Sequence, residues 1–81
     1  MYLHIGKNTI INKNDIIALF NLDYIKNTKE FKAMKAKLEE EGNLERLTDE
    51  KQKSFIITSN KLKTKGYLTN IGTVTIGKRI N

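Results

Sequence analysis

The sequence predicts a small α+β domain, a mainly antiparallel β-sheet with one α-helix at about residues 29–41. Short apolar runs separated by Gly and Asn are typical of strands joined by turns. Only one stretch carries helical spacing, with Phe31, Met34 and Leu38 at i, i+3 and i+7. A chain of 81 residues is expected to form a single domain (1–81) whose core is near the lower limit for independent stability.

The most apolar predicted strand lies in residues 15–22. Both of its faces are apolar, with Ile16, Ala18, Phe20 and Leu22 on one and Ile17 and Leu19 on the other. A strand with one solvated face should carry polar residues at alternate positions. We therefore expect both faces to be covered, and in so short a chain another subunit is a candidate for the second cover.

Shorter strands are predicted before this stretch, at residues 2–5 and 9–11. After it, Asn27 or Thr28 is suited to cap the helix, and Glu30 follows Asn27 at capping-box spacing. Gly42 is the expected residue just beyond the helix. The helix is only about three turns long, so its stability must come from packing its apolar stripe onto the sheet.

The second half is predicted to be strands and turns. An edge strand at 44–47, a strand at 55–58, a turn at Ser59-Asn60, a return strand at 61–65 and a last strand at 72–76 precede a mobile tail at 77–81. In this interpretation Lys61, Lys63 and Lys65 project from one face. Such a ladder of like charges costs stability unless solvent screens it or a negative group lies over it.

Charge is divided unevenly along the chain, whose net charge is +6. Residues 1–50 are nearly neutral, whereas residues 51–81 contain no Asp or Glu and seven basic side chains: Lys51, Lys53, Lys61, Lys63, Lys65, Lys78 and Arg79. A solvated lysine-rich surface would explain this pattern. A segment of one sign also attracts polyanions, which favours a nucleic-acid partner.

The sequence lacks the residues that several classes of function require. The chain has no Cys and a single His (His4), so neither a disulfide framework nor a metal cluster of thiolates or imidazoles is expected. Neither a glycine-rich phosphate loop nor a nucleophile elbow is present. We expect no enzymatic activity, no cofactor and no small-molecule substrate.

No apolar run approaches the roughly 18–20 residues that span a bilayer, and residues 1–5 do not resemble a signal peptide. A cytoplasmic protein without a membrane partner is expected.

Four motifs carry a family resemblance: YLHIG at 2–6, the Ile10/Ile11 pair, DIIALF at 15–20 and KSFIIT at 53–58. Together they resemble the extracellular matrix regulatory protein family, and more closely its RemB (also called YaaB) branch. The resemblance implies a small cytoplasmic regulator of Gram-positive bacteria, linked to extracellular matrix and biofilm genes. It also implies a ring-shaped homo-oligomer, because the sister branch, RemA, binds DNA in that form.

The resemblance transfers only partly to DNA-contacting positions. The loop arginine pair of the sister branch falls on Lys51 and Gln52, and its third arginine falls on Asp15. The predicted DNA-binding residues are Lys13, Lys51, Lys53, Lys61, Lys63 and Lys65. One hypothesis is a ring that regulates transcription by holding duplex DNA through phosphates. The other is a non-catalytic oligomeric adaptor that contacts another regulator, for example a RemA-type protein, without binding DNA.

Overall fold

Two sheets and three α-helices form the fold, so the predicted α+β class is confirmed, while the prediction of a single helix is wrong. The computed structural model describes all residues, 1–81. The elements are β1 (Tyr2–Gly6), β2 (Thr9–Asn12), a 3-10 turn (Lys13–Asp15), β3 (Ile16–Asn21), α1 (Leu22–Ile25), α2 (Lys29–Glu40), β4 (Leu44–Arg46), β5 (Ser54–Ser59), β6 (Thr64–Thr69) and α3 (Thr73–Ile80). None of the helices is long and apolar enough to cross a membrane.

The larger sheet has the strand order β3-β5-β6-β4. Its β3–β5 and β5–β6 pairs are antiparallel, and β4 joins the far edge parallel to β6. Strands β1 and β2 form a separate antiparallel hairpin. The predicted edge strand at 44–47 is therefore confirmed, although it ends one residue earlier.

Both faces of the larger sheet are buried by the chain itself. On one face, helix α2 contributes Leu38 to a cluster that includes Phe55 and Leu68. On the other, the β1–β2 hairpin contributes Ile5 and α3 contributes Ile76. The prediction that the apolar strand is covered on both faces is confirmed only in part, because no residue of β3 is fully buried and Ile17 and Phe20 are 63% and 38% exposed. The cover that β3 does have comes from the same chain, which buries the central strands β5 and β6 more completely.

Strand β3 is shorter than predicted and irregular. The register shifts between Ile16 and Ala18, so Ile17 occupies a β-bulge and is 63% exposed. Asn21 ends the strand, and its Oδ1 accepts a hydrogen bond from the Asp23 N–H at 2.9 Å. Because of this cap, Leu22 begins α1 instead of continuing the strand.

Helix α2 matches its predicted bounds to within one residue. Thr28 is the N-cap, with Oγ1 accepting a hydrogen bond from the Phe31 N–H at 3.2 Å. Leu38 is buried against the sheet, and Gly42 follows the helix with a φ of +74°. Met34, expected in the core, is instead 44% exposed, since it lies at the rim of the contact with the sheet.

Strand β6 begins and ends three or four residues later than predicted. Asn60 organises a four-residue turn, its Oδ1 accepting hydrogen bonds from the Leu62 and Lys63 N–H groups. The strand then continues through Gly66, beyond the predicted end at residue 65. A Cβ at Gly66 would lie 2.7 Å from Leu38 Cδ1 and 2.9 Å from Phe55 Cε1. Glycine is therefore required here because α2 approaches the sheet too closely for a side chain.

The predicted last strand at 72–76 is wrong, because residues 73–80 form helix α3. Ile76 is fully buried and Ile80, one helical turn later, packs against the same cluster. The β-branched run Thr73 to Ile76 favours a strand by propensity, but helical spacing places Ile76 and Ile80, at i and i+4, against the same cluster. Most of the predicted tail, residues 77–81, is therefore helical, and its mobility stays a prediction.

Candidate nucleic-acid interface

The loop between β4 and β5 presents two of the predicted lysines. Its backbone is fixed near its end, because the Lys53 N–H donates to Thr69 O at 2.8 Å and Lys53 O accepts from the Leu22 N–H at 2.9 Å. The side chains of Lys51 and Lys53 are exposed. The fold thus holds the backbone of Lys53 firmly and leaves both ammonium groups at the surface.

Lys51 and Lys53 line one shallow cleft of about 240 Å³ together with the start of α3. Gly72 caps that helix without a side-chain hydrogen bond, and the first turn contains no acidic residue. Two lysines and the positive end of a helix dipole therefore lie side by side. This arrangement attracts an anion such as a phosphate.

A carboxylate lies within the same cleft. Asp23 Oδ1 is 3.8 Å from Lys51 Nζ and 3.7 Å from Lys26 Nζ. The Asp23 and Lys51 side chains are 57% and 71% exposed, and exposed ion pairs contribute only about 0–1 kcal/mol. A phosphate approaching Lys51 therefore competes with a weak intramolecular partner.

The structure adds two lysines that the sequence did not single out. Lys26, after α1, and Lys35, in α2, line a second cleft of about 400 Å³ that also includes Lys51. Glu50 and Gln52 line it too. The near-neutral balance of residues 1–50 hid this grouping. The sequence contains one sign of this grouping: Lys35 follows Phe31 by one helical turn and so lies on the same, sheet-facing side of the helix.

Lys61 and Lys63 lie far from this end of the sheet. Both belong to the exposed turn between β5 and β6. The six residues of β5 separate that turn from Lys53 by roughly 20 Å, at about 3.4 Å per residue. The predicted ladder of Lys61, Lys63 and Lys65 is not formed, because only Lys65 belongs to strand β6.

Lys65 and Lys13 have partners within the chain. Lys65 Nζ lies 3.5 Å from Glu45 Oε1 and 5.3 Å from the centroid of the Tyr67 ring. Lys13 Nζ donates to Ile80 O at 3.3 Å, at the carboxyl end of α3. A cation at a helix C-terminus is stabilising. In the structure both lysines therefore have intramolecular partners, as Lys51 has in the exposed Asp23, whereas Lys53 forms no ion pair.

The three positions that the resemblance predicted to correspond to DNA-contacting arginines also lie in two separate places. Lys51 and Gln52 precede β5, whereas Asp15 precedes β3 at its Ile16–Thr58 end. These two places are at opposite ends of the antiparallel β3–β5 pair. Within one subunit they do not form a single surface.

Comparison with known proteins agrees with the family suggested by the motifs. A sequence model of the RemA-like family, described as extracellular matrix regulatory protein A-like, matches residues 2–80. No curated protein matches the chain. Since the match covers nearly every residue, the chain belongs to the RemA-like family of extracellular matrix regulators.

Proposed function

We propose that this chain is a non-enzymatic regulator of extracellular matrix and biofilm genes that binds duplex DNA as a cytoplasmic, ring-shaped homo-oligomer. Lys51 and Lys53 are its principal phosphate contacts, with Lys26 and Lys35 adding positive potential. Within the family we place it in the RemB branch, on the YLHIG, DIIALF and KSFIIT motifs.

One observation carries the proposal. Lys51 and Lys53 are exposed and line one cleft with the start of α3, and Asp23 is the only carboxylate in its lining. Lysines on phosphates position a protein on DNA without reading base sequence. The proposed interface therefore supplies affinity, and it does so with little discrimination between sequences.

Assembly compensates for the small number of lysines per subunit. A ring repeats the cleft around its circumference, and linked contacts raise the overall affinity through effective concentration. The number of phosphates that one particle neutralises then rises with the number of subunits.

Direct DNA binding is tested with Lys51→Glu/Lys53→Glu, measured by fluorescence anisotropy of a labelled duplex at about 50 mM salt, where electrostatic binding is strong. We expect affinity to fall below detection, because two phosphate contacts per subunit become repulsive. Both residues are exposed, so the substitutions should change stability by no more than about 0.5 kcal/mol.

The matched control is Lys29→Glu/Lys32→Glu, in the first turn of α2, where a carboxylate is compatible with the helix dipole. These side chains are also exposed, form no ion pair and line none of the clefts described, yet their replacement changes the net charge by the same amount. We expect this variant to keep most of the affinity. An equal loss in both variants would mean that net charge, not this cleft, determines binding.

The adaptor hypothesis is supported by a different observation. The acidic Asp23, Glu45 and Glu50 lie beside the second-half lysines or line their clefts, which lowers the positive potential of the surface. Undetectable binding of the wild-type chain to duplex at low salt would reject the DNA proposal. Capture of a protein partner that survives nuclease treatment would then favour the adaptor.

A further inference from the structure

An apolar groove lies between the outer edge of β3 and helix α2. It has a volume of about 620 Å³, and its apolar lining is Ile17, Met34, Leu38 and Ile57. We call it the β3–α2 groove. Ile17 is 63% and Met34 44% exposed. Beyond Met34 the surface continues to Phe20, which is 38% exposed.

The groove is open because β3 is an edge strand. Its other edge pairs with β5, and no strand lies beyond it. The bulge at Ile17 breaks the regular ladder and turns that side chain outward. Ile17, Met34 and Phe20 therefore form a contiguous exposed apolar patch, whereas an ordinary surface carries exposed apolar residues singly.

A second apolar feature lies at the turn between β5 and β6, residues 60–63, which we call the hairpin tip. Leu62 is 91% exposed, the highest value among the exposed large apolar residues. The tip is ordered by Asn60, whose Oδ1 accepts hydrogen bonds at 2.9 Å from the Leu62 N–H and 3.2 Å from the Lys63 N–H. Leu62 is flanked by Lys61 and Lys63, neither of which forms an ion pair.

The tip and the groove are complementary in chemistry. The tip offers one projecting leucine between two lysines. The groove offers an apolar floor, and Glu41 stands at its rim beside the exposed Glu40. Glu39 is already held by Arg46 at 2.7 Å, whereas Glu40 and Glu41 form no ion pair. The lining also carries two lysines, Lys37 and the chain's own Lys63, so the charge that complements the tip is confined to the unpaired carboxylates Glu40 and Glu41 at the end of α2.

Leu62 does not fill the groove of its own chain, because only Lys63 and Thr64 of the turn region line it. We propose that the hairpin tip of one copy docks into the β3–α2 groove of a second copy, with Leu62 between Ile17 and Met34. The inference deepens the proposed homo-oligomer by naming its contact.

This contact is head-to-tail. Each copy that uses its tip still has a free groove, and the copy that receives the tip still has a free tip. Heterologous contacts of this kind form a ring where the rotation between neighbours closes, and an open filament where it does not. The contact uses Lys61 and Lys63, while Lys51 and Lys53 lie at the opposite end of β5 and remain accessible.

The test uses two variants that damage opposite halves of the contact: Leu62→Ser for the tip and Ile17→Ser for the groove. Both residues are more than half exposed, so the fold should tolerate the changes, and circular dichroism with thermal unfolding checks that it does. Mass is measured by light scattering during size exclusion, over a dilution series. We expect an oligomer for the wild-type chain and a monomer for each variant.

An equal mixture of the two variants distinguishes this contact from a symmetric one. The Leu62→Ser chain keeps an intact groove, and the Ile17→Ser chain keeps an intact tip. One functional contact remains per pair, so we expect the mixture to form dimers and nothing larger. Met34→Ser, a second groove variant, should behave as Ile17→Ser does.

Val74→Ser is the matched control, because Val74 is 71% exposed but lies on α3, outside the groove and the tip. We expect it to keep the wild-type mass. Wild-type mass for Leu62→Ser, or an equal loss for Val74→Ser, would overturn this contact and leave the proposed oligomer standing. A wild-type chain that is monomeric throughout the series would overturn both.

Discussion

Gly66 shows how a single residue sets the distance between helix and sheet. Its missing side chain lets Leu38 of α2 and the Phe55 ring come within 3 Å of the place a Cβ would occupy. A glycine inside a strand is normally unfavourable, so its position in β6 is a packing requirement.

Gly66→Ala is expected to destabilise the fold by about 1–3 kcal/mol, as overpacking of a close contact does. Urea unfolding followed by circular dichroism measures the change in the free energy of unfolding. Gly77→Ala is the matched control: nothing lies within 4 Å of its Cβ position, and it is inside helix α3. There alanine should stabilise by about 0.5–1 kcal/mol. Two changes of the same sign would contradict the contact at Gly66 or the helix at Gly77.

At the scale of elements, the sequence predicted what local signals determine. Helix α2 was placed to within a residue, because its Thr28 cap and apolar spacing lie within the helix itself. Strand β6 was misplaced because the role of Gly66 depends on Leu38, nearly thirty residues away. Helix α3 was missed because Thr-Val-Thr-Ile has strand propensity, although Lys78 and Arg79 in its last turn are the helical signal.

The lysines of the candidate site also differ in whether the sequence could predict that they lie together. Lys51 and Lys53 could be predicted together because they are neighbours in one loop. Lys26 and Lys35 could not, since helices α1 and α2 bring them to the cleft only after folding. The ladder of Lys61, Lys63 and Lys65 failed because it assumed a strand that starts three residues too early.

The carboxyl end of α3 allows a test of Lys13. We expect Lys13→Met to lower stability by about 0.3–1 kcal/mol, since it removes a cation from a helix C-terminus and the hydrogen bond to Ile80 O. It should leave affinity for duplex unchanged. Lys51→Met removes the same charge at the cleft and should show the opposite pattern, lower affinity with unchanged stability. A loss of affinity with Lys13→Met comparable to that of Lys51→Met would return Lys13 to the DNA surface.

For the whole molecule, the structure separates two roles that composition alone had merged. The basic second half does not form one positive surface. Its lysines lie at both ends of the β5–β6 hairpin, and Lys65 is matched by Glu45. In the two proposals, one end of the hairpin binds phosphate and the other binds a second copy, so assembly would repeat the cleft without covering it.

This arrangement predicts that DNA affinity depends on assembly. Leu62→Ser keeps every lysine of the cleft, yet as a monomer it should lose the avidity gained from linked contacts, about 10²–10⁴-fold. Its slope of log K against log salt should also be shallower, because each phosphate contact contributes about −0.9 and one subunit makes few contacts.

Anisotropy titrations of the wild-type, Leu62→Ser and Val74→Ser chains over a salt series provide the measurement. Val74→Ser should match the wild-type slope, since it keeps the assembly. If monomeric Leu62→Ser binds with the wild-type affinity and slope, then one subunit holds the entire interface, and repetition of the cleft contributes nothing. A shallow slope with weak binding would instead support the proposal that the few lysines of one chain bind DNA only when copies are joined.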